Sequence, residues 1–286
     1  MARPLYVCSL IKINEPFDIG ALCLFVEWLF YFEEVTMAKK FWTFIGNDKY
    51  DIGLTGSTVY VYDKNDTELA AFKDLTYAYN AVISPLGDIF VVKTTDGRMA
   101  IYSFEPLKLV KKFRFSKIDG GQDENMVFSP DGKYFYSIES HTNTSKTLLA
   151  KYRTDDFSLV CQLFSERERF RLSVIEYDEN TDCYYVLGIL YSPETTMANT
   201  WFVAKLVDDE LVDVRYITEG ERDFANAVNH IKVMGYTEKA FQWSAFRYKK
   251  EYDDRYKISL DEIKALNYSL AALWKNASTT PIEKKD

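Results

Sequence analysis

The chain has 286 residues, of which 47% are hydrophobic and 27% are charged, and its formal net charge is −8. This composition is that of a globular protein, and the length fits one large domain or two average ones. The acidic balance argues against a nucleic-acid-binding protein, which is usually basic. An acidic balance is also ordinary for a soluble cytoplasmic protein, and we expect the cytoplasm of a bacterium as its location.

Tyrosine and phenylalanine dominate the aromatic content, with 21 and 20 residues. Both residue types favour half-buried strands, so the composition indicates a β-rich fold. The four cysteines form no CxxC motif, and the chain has two histidines. That set offers no zinc ligands at the usual spacing, so no metal site and no cofactor are predicted. We expect Cys161 and Cys183 to be small strand residues in a reducing compartment.

Residues 1–36 do not share the pattern of the rest of the chain, and their apolar run at 21–32 is interrupted by Glu27. The run is shorter than the roughly 20 residues that cross a bilayer, and no signal-peptide cleavage site follows it. Three interpretations stay open: a translated upstream leader outside the fold, an amphipathic packing helix, and a membrane anchor. The leader is favoured because the codons for 33–36 can contain a ribosome-binding sequence just before Met37. No stable membrane insertion is predicted.

From residue 40 onward, units of four short β-like runs recur with a period of about 40 to 55 residues, which is typical of propellers and solenoids. The runs of the first two units are predicted at 41–45, 50–54, 58–63 and 68–72, and at 79–84, 88–94, 98–104 and 107–115. Those of the next two are predicted at 125–129, 133–139, 147–153 and 158–164, and at 171–177, 183–191, 200–207 and 210–217. A fifth unit begins at 227–234 and 240–248 and is less regular.

The turns between the first and second runs share a chemistry. Ser84-Pro85-Leu86-Gly87 in the second unit matches Ser129-Pro130-Asp131-Gly132 in the third. Proline sets φ at the second position of such a turn, and glycine supplies the positive φ before the returning strand. Alanine recurs at one place of the third runs, at positions 100, 150 and 204, where a small side chain would let neighbouring sheets approach.

These units resemble the WD-repeat-like, YVTN-type β-propeller superfamily, in which each blade is a four-stranded antiparallel sheet. The resemblance covers about residues 41–250. It departs from true WD repeats because Gly-His is absent and Trp-Asp is replaced by Tyr62-Asp63, Tyr102-Ser103 and Tyr152-Arg153. It implies an all-β propeller over residues 37–275, and the five units counted in the sequence predict five blades. We also expect a short C-terminal helix that begins near Ser259 and a polar tail over 276–286.

Loop length separates the two ends of the predicted blades. One end has short connections, at 46–49, 64–66, 86–87, 105–106, 131–132 and 155–157. The other has long connections, at 116–124, 140–146, 165–169, 192–199, 218–223 and 249–255. Because binding residues concentrate on elaborated loops, we predict a binding face at the second end. Its candidate binding residues are Asp119, Asp123, Glu124, His141, Arg167, Arg169, Arg222 and Asp223.

The sequence lacks GxSxG, P-loop, GxGxxG and HExxH motifs, so no catalytic residue is predicted. We expect a non-enzymatic binding or scaffold protein whose partner is another protein and not nucleic acid. The alternative is a propeller hydrolase, glycan-active or lactonase-like, with carboxylates around a central site. A structural module of a larger assembly is a third interpretation, and the oligomeric state stays open.

The start of the native chain is directly testable. If Met37 is the initiator, the intact mass of the protein purified from its natural source will lack residues 1–36. A measured mass that includes those residues contradicts the leader interpretation.

Overall fold

The computed structural model describes residues 41–115, 124–140, 147–166, 170–191, 198–218, 222, 225, 232 and 269–280. The chain divides into two compact units, Met1–Ala38 and Lys39–Asp286, and every described residue belongs to the second. The segment predicted as a leader therefore lies outside the described residues, and so does most of the predicted fifth blade.

Within these residues the chain forms sixteen β-strands, which pair antiparallel in four sheets of four. The first sheet consists of β1 (Thr43–Gly46), β2 (Tyr50–Leu54), β3 (Val59–Asp63) and β4 (Glu68–Phe72). The second consists of β5 (Ala78–Ile83), β6 (Ile89–Thr94), β7 (Arg98–Phe104) and β8 (Leu107–Arg114). The third consists of β9 (Met126–Phe128), β10 (Tyr134–Ser140), β11 (Thr147–Arg153) and β12 (Leu159–Leu163). The fourth consists of β13 (Phe170–Asp178), β14 (Cys183–Tyr191), β15 (Ala198–Val207) and β16 (Glu210–Tyr216).

The order of strands in each sheet follows the chain, so each sheet is a simple meander. The first strands, β1, β5, β9 and β13, contact one another in succession from sheet to sheet. Successive meanders that meet along their first strands are the blades of a β-propeller. The predicted fold class, an all-β propeller of four-stranded antiparallel blades with a short C-terminal helix, is confirmed.

The second and third sheets are buried on both faces, because each packs between two neighbouring sheets. Successive residues of β6 show this most clearly: Val92 packs with the first sheet, whereas Val91 packs with the third. Side chains alternate across a strand, so one strand supplies both interfaces. Double burial explains why the sequence of these strands is almost continuously apolar.

Equivalent pairs of stacked aromatic rings recur on the packed faces of successive sheets. Phe90 stacks on Tyr102 and Phe135 stacks on Tyr152, in both cases with ring centroids 4.9 Å apart and an interplanar angle of 14°. The recurring alanines, at positions 100, 150 and 204, are all fully buried. Each alanine therefore lies where its sheet packs on the preceding one.

The turn residues act as the sequence indicates. Gly87 and Gly132 have φ of 70° and 68°, and each donates its N–H to the serine that opens its turn, at 2.9 Å. Asp131 accepts hydrogen bonds from the Ser129 hydroxyl and the Lys133 N–H. These bonds, the serine first, lower the pKa of Asp131 to about 2.

The C-terminal helix, α1 (Leu270–Asn276), packs on the fourth sheet. Ser269 caps it by accepting a hydrogen bond from the Ala272 N–H. The predicted start at Ser259 lies outside the described residues. The predicted polar tail is docked at its beginning, because Ser278 pairs with Tyr216 through two backbone hydrogen bonds.

One predicted strand is wrong at a described residue. Lys232 is helical, as are Arg222 and Ala225, although a strand was predicted over 227–234. Ala225 is fully buried and Lys232 is half-buried. A short apolar run can belong either to a buried helix or to a strand. The spacing of apolar residues over so few positions does not distinguish the two.

Asn125 joins the third sheet to the fourth. Its side-chain oxygen accepts the Ile175 N–H at 2.8 Å, and its side-chain nitrogen donates to the Ile175 carbonyl at 2.9 Å. Because β13 is the first strand of its sheet, its inner edge has no strand partner. The amide of Asn125 occupies that edge and satisfies a buried peptide group.

We predict that Asn125→Ala lowers the free energy of unfolding by roughly 2–4 kcal/mol, because it leaves both polar groups of Ile175 buried without partners. Urea denaturation measures the change. The matched control is Asn180→Ala, in the exposed turn between β13 and β14, which should change stability by less than about 0.5 kcal/mol. Equal stability of the two variants contradicts the bridging role of Asn125.

Candidate binding face

The connections fall into two sets at opposite ends of the sheets. We call long-loop face the end that holds the connections between second and third strands and those from one sheet to the next. Its described part includes 55–58, 73–77 and 95–97, and the bases of the connections that enclose 116–123 and 141–146. The opposite end, with the turns between first and second strands, is the short-loop face.

Beneath the long-loop face lies a buried group of charges, Lys93, Glu124 and Glu139. Lys93 is the penultimate residue of β6, Glu139 is the penultimate residue of β10, and Glu124 precedes β9. The exposed fraction is 0% for Lys93 and Glu139 and 1% for Glu124. The Lys93 ammonium donates to the Ile138 carbonyl at 2.5 Å and, at 3.4 Å, to the Ser137 hydroxyl. One lysine of the second sheet is thus bonded to the second strand of the third.

Burial dominates the ionisation of this group. It lowers the pKa of Lys93 to about 8, and the charges of Glu124 and Glu139 oppose that shift. It raises the pKa of Glu139 to about 7, although the Tyr152 hydroxyl donates to this carboxylate at 2.8 Å. The pKa of Glu124 is also raised by burial, against the attraction of Lys93 and Arg171. Burial thus favours the neutral form of all three groups, whereas the attraction between Lys93 and the two carboxylates favours the charged forms.

Hydrogen bonds fix both ends of the connection that encloses 141–146. The Glu124 carboxylate accepts the N–H and the hydroxyl of Ser140, where β10 ends. The Thr147 hydroxyl, where β11 begins, accepts the Leu172 N–H of β13. Residues 141–146 therefore leave and re-enter the sheet at two hydrogen-bonded points, each tied to a different neighbouring segment.

Two aromatic side chains are largely exposed among the described residues, and both lie at the long-loop face. Trp42 precedes β1 and is 53% exposed, and Tyr77 precedes β5 and is 67% exposed. Between them lies Gly56: the Trp42 indole packs against it, and its carbonyl accepts the Ala78 N–H at 2.9 Å. We call Trp42, Gly56 and Tyr77 the aromatic corner.

The backbone of Tyr77 is left-handed, with φ of 59°. This conformation costs a residue with a side chain about 1–2 kcal/mol. It is held by the hydrogen bond from the Thr95 N–H to the Tyr77 carbonyl, at 3.1 Å. Phe157 and Phe164 also have positive φ, but their rings pack on the core, whereas the Tyr77 ring is in solvent.

Two of the predicted binding residues are described. Glu124 is buried, so it supports the face from below and does not present its carboxylate to a partner. Arg222 is exposed. The other six, Asp119, Asp123, His141, Arg167, Arg169 and Asp223, lie outside the described residues and stay predictions.

The sequence analysis missed Trp42 and Tyr77. They are 35 residues apart, in a chain with five tryptophans and 21 tyrosines, and their local sequence resembles that of buried aromatics. Lys93 was missed for the opposite reason, because a lysine near a strand end is normally solvated. The one usable signal was that Lys93 falls within the predicted run 88–94.

A cavity of about 520 Å³ opens at the short-loop face, where the sequence predicted no site. Its walls include Ile45, Ile83 and Met126, and Lys232 lies at its edge. The Lys232 ammonium bonds to the Glu176 carboxylate, which also accepts the Leu270 N–H at 2.6 Å. The positive charge of Lys232 is therefore already neutralised by Glu176.

Among the residues that the structure describes, no group of three or more His, Cys, Asp or Glu is placed to hold a metal ion. In the same part of the chain, no helix is both long enough and apolar enough to cross a membrane.

Comparison with known proteins adds little. No family model and no curated protein matches the chain. Among solved structures, it is similar to hydrazine synthase of Kuenenia stuttgartiensis, with 11% identity and a TM-score of 0.49 over 64% of this chain and 51% of that one. The chain thus spans about half the length of that protein chain. Fold class rests on the sheet topology, and no function follows from so distant a likeness.

The buried charges predict an unusual pH dependence of stability. Since Glu139 binds its proton more tightly in the folded state, the free energy of unfolding should fall as pH rises from about 5 to 7. Glu139→Gln should reduce this slope by up to about 1.4 kcal/mol per pH unit. Denaturant titrations at several pH values measure it.

Glu210→Gln is the matched control, because Glu210 is an exposed carboxylate at the start of β16. Its pH profile should follow that of the wild type. The titration of the two histidines is common to all three proteins, so it cancels in the comparison. Identical slopes for wild type and Glu139→Gln contradict the assignment.

Proposed function

We propose that this protein is a non-enzymatic β-propeller that binds another protein through its long-loop face. The observation that carries the proposal is the aromatic corner. Trp42 and Tyr77 expose 53% and 67% of their surface at one end of the sheets, on either side of Gly56. Tryptophan and tyrosine are the side chains most often found as binding hot spots.

The backbone supports this role. A strained residue persists only where its surroundings hold it, and such residues cluster at functional sites. Tyr77 combines a left-handed backbone with a solvent-exposed ring, so the fold gains no core packing from the strained position. What it gains is a fixed direction for the bond by which the Tyr77 side chain leaves the backbone. A backbone fixed before binding loses less entropy when a partner arrives.

Hydrogen bonds of buried side chains hold the rest of the described face in place. Glu124 and Thr147 fix the two ends of the connection that encloses 141–146, and Asn125 fixes the neighbouring sheet. Function on loops is usually positioned by a rigid scaffold of this kind.

The hydrolase alternative is less well supported. A glycosidase requires two carboxylates that reach the substrate. Of the described carboxylates under the long-loop face, Glu124 and Glu139 are buried and bonded to Ser140 and Tyr152. Their raised pKa values follow from burial, which outweighs the opposing attraction of Lys93, and do not require a catalytic role.

We predict that Trp42→Ala and Tyr77→Ala each reduce capture of the native partner at least about tenfold, because a hot-spot aromatic contributes roughly 2 kcal/mol or more. The assay is quantitative affinity capture from the source organism's lysate, with mass spectrometry of the bound proteins. Leu86→Ala is the matched control, since Leu86 is 66% exposed at the short-loop face.

Tyr77→Gly separates binding from folding. Glycine tolerates the left-handed backbone, so this variant should be as stable as the wild type in urea and should still lose capture. Undiminished capture by all three aromatic variants, or equal loss with Leu86→Ala, contradicts the proposed function.

A further inference from the structure

We propose that the cavity at the short-loop face binds a short extended peptide segment of another protein, with apolar side chains, which adds as a strand to the inner edge of β5. This site lies at the opposite end of the sheets from the aromatic corner, so it goes beyond the proposed function and is independent of it. Its basis is the backbone of Ala81 and Ile83, two residues of β5 that line the cavity.

The pairing of β5 with β6 shows where these backbone groups point. The Ser84 N–H donates to the Ile89 carbonyl at 3.0 Å, so these two residues form a hydrogen-bonded pair. Along an antiparallel pair of strands, hydrogen-bonded residues alternate with residues whose N–H and C=O groups point the other way. Ile83 and Ala81 lie one and three positions before Ser84, and the register between them is continuous. Their N–H and C=O groups therefore point away from β6.

The inner edge of β5 is open at these two residues. β5 is the first strand of its sheet, so it has a strand partner on one side only. Farther along the same edge, the Tyr79 carbonyl accepts a hydrogen bond from the Thr43 hydroxyl. Within the part of the chain that the structure describes, no group bonds to the inward-pointing N–H and C=O groups of Ala81 and Ile83. An open strand edge of this kind is a template for an added strand.

The equivalent edge in the fourth sheet shows how an amide occupies such a position. There, the Asn125 side chain accepts the Ile175 N–H at 2.8 Å and donates to the Ile175 carbonyl at 2.9 Å. One amide group thus satisfies both polar groups of one residue. Ala81 and Ile83 are two residues apart, which is about 7 Å along a strand, so a ligand that bonds to both must carry amide groups at that spacing. An extended peptide has this spacing.

The cavity has the size and the walls for such a peptide. Its volume of about 520 Å³ lies in the range of about 300–1,000 Å³ that is usual for ligand pockets. β5 contacts both β1 and β9, so the cavity is lined by Ile45 of the first sheet and by Met126 of the third. Side chains alternate along an added strand, and those on its two faces would pack on these two apolar residues.

The test uses the full chain and a fluorescein-labelled peptide of sequence Gly-Val-Thr-Val-Gly. Fluorescence anisotropy should show saturable binding that changes little with salt, because the expected contacts are uncharged. The same peptide with an N-methyl group on every backbone amide keeps its side chains but has no N–H to donate, so it should bind at least about tenfold more weakly. Absence of binding by the unmethylated peptide, or equal binding by the two, overturns the proposal.

Amide hydrogen exchange, followed by NMR, locates the contact. The N–H groups of Ala81 and Ile83 should exchange at least about tenfold more slowly when the peptide is bound, because its carbonyls accept them. The N–H of Val82, between them, points to β6 and serves as the internal control, with a change of less than about twofold. Equal changes at all three residues, or none at any, overturn the proposal.

A pair of variants tests one donor. Ile83→Pro removes an N–H that lies outside the ladder between β5 and β6, where proline is tolerated. Ile83→Ala is the matched control, because it shortens the same side chain and keeps the N–H. The proline variant should bind the peptide at least about fivefold more weakly than the alanine variant, and equal binding overturns the proposal. The methylated peptide makes the same comparison on the wild-type chain, so the result does not depend on the stability of Ile83→Pro.

Trp42→Ala separates this site from the aromatic corner. It should bind the peptide within about twofold of the wild type, since Trp42 lies at the long-loop face. Weakening of peptide binding by Trp42→Ala as large as that caused by Ile83→Pro places the peptide at the other end and overturns the proposal.

Discussion

The buried ammonium of Lys93 is the constraint on which the long-loop face of this propeller depends. A fully buried cation is tolerated only where the protein surrounds it with acceptors and opposite charge. Lys93 extends from the second sheet into the third, where its ammonium donates hydrogen bonds to the Ile138 carbonyl and the Ser137 hydroxyl. The charges of Glu124 and Glu139 also stabilise its charged form. The requirement fixes how these two blades sit against each other, since sliding them apart would leave a buried charge without partners.

Buried polar side chains also hold the long-loop face in place. The Glu124 carboxylate attracts the Lys93 ammonium and accepts hydrogen bonds from Ser140, where a long connection begins. Asn125 extends these hydrogen bonds to the fourth sheet. The strained Tyr77 therefore lies at the end of sheets that are already joined by hydrogen bonds.

The two ends of the sheets differ in the exposure of their side chains as well as in the length of their loops. At the short-loop face, Gly87 and Gly132 close tight turns, and the Lys232 charge at the cavity is neutralised by Glu176. At the long-loop face, Trp42 and Tyr77 are largely exposed to solvent. Exposed apolar side chains occur at both ends, since Leu86 is 66% exposed at the short-loop face, but the largely exposed aromatics among the described residues are at the long-loop face.

The sequence by itself determined the strands of the four described sheets. Side-chain patterns and turn residues act over a few positions, so β2, β4, β7, β8, β11, β14 and β16 begin where they were predicted, and the other described strands begin within two residues of their predictions. It also indicated which end of the blades is the candidate binding face. It did not determine the candidate site, because Trp42 and Tyr77 both come near Gly56 only when β1 and β5 become neighbours, and Lys93 comes near Glu124 and Glu139 only when two sheets stack. Exposure, burial and charge balance are properties of residues brought together from distant parts of the chain, and only the tertiary structure decided them.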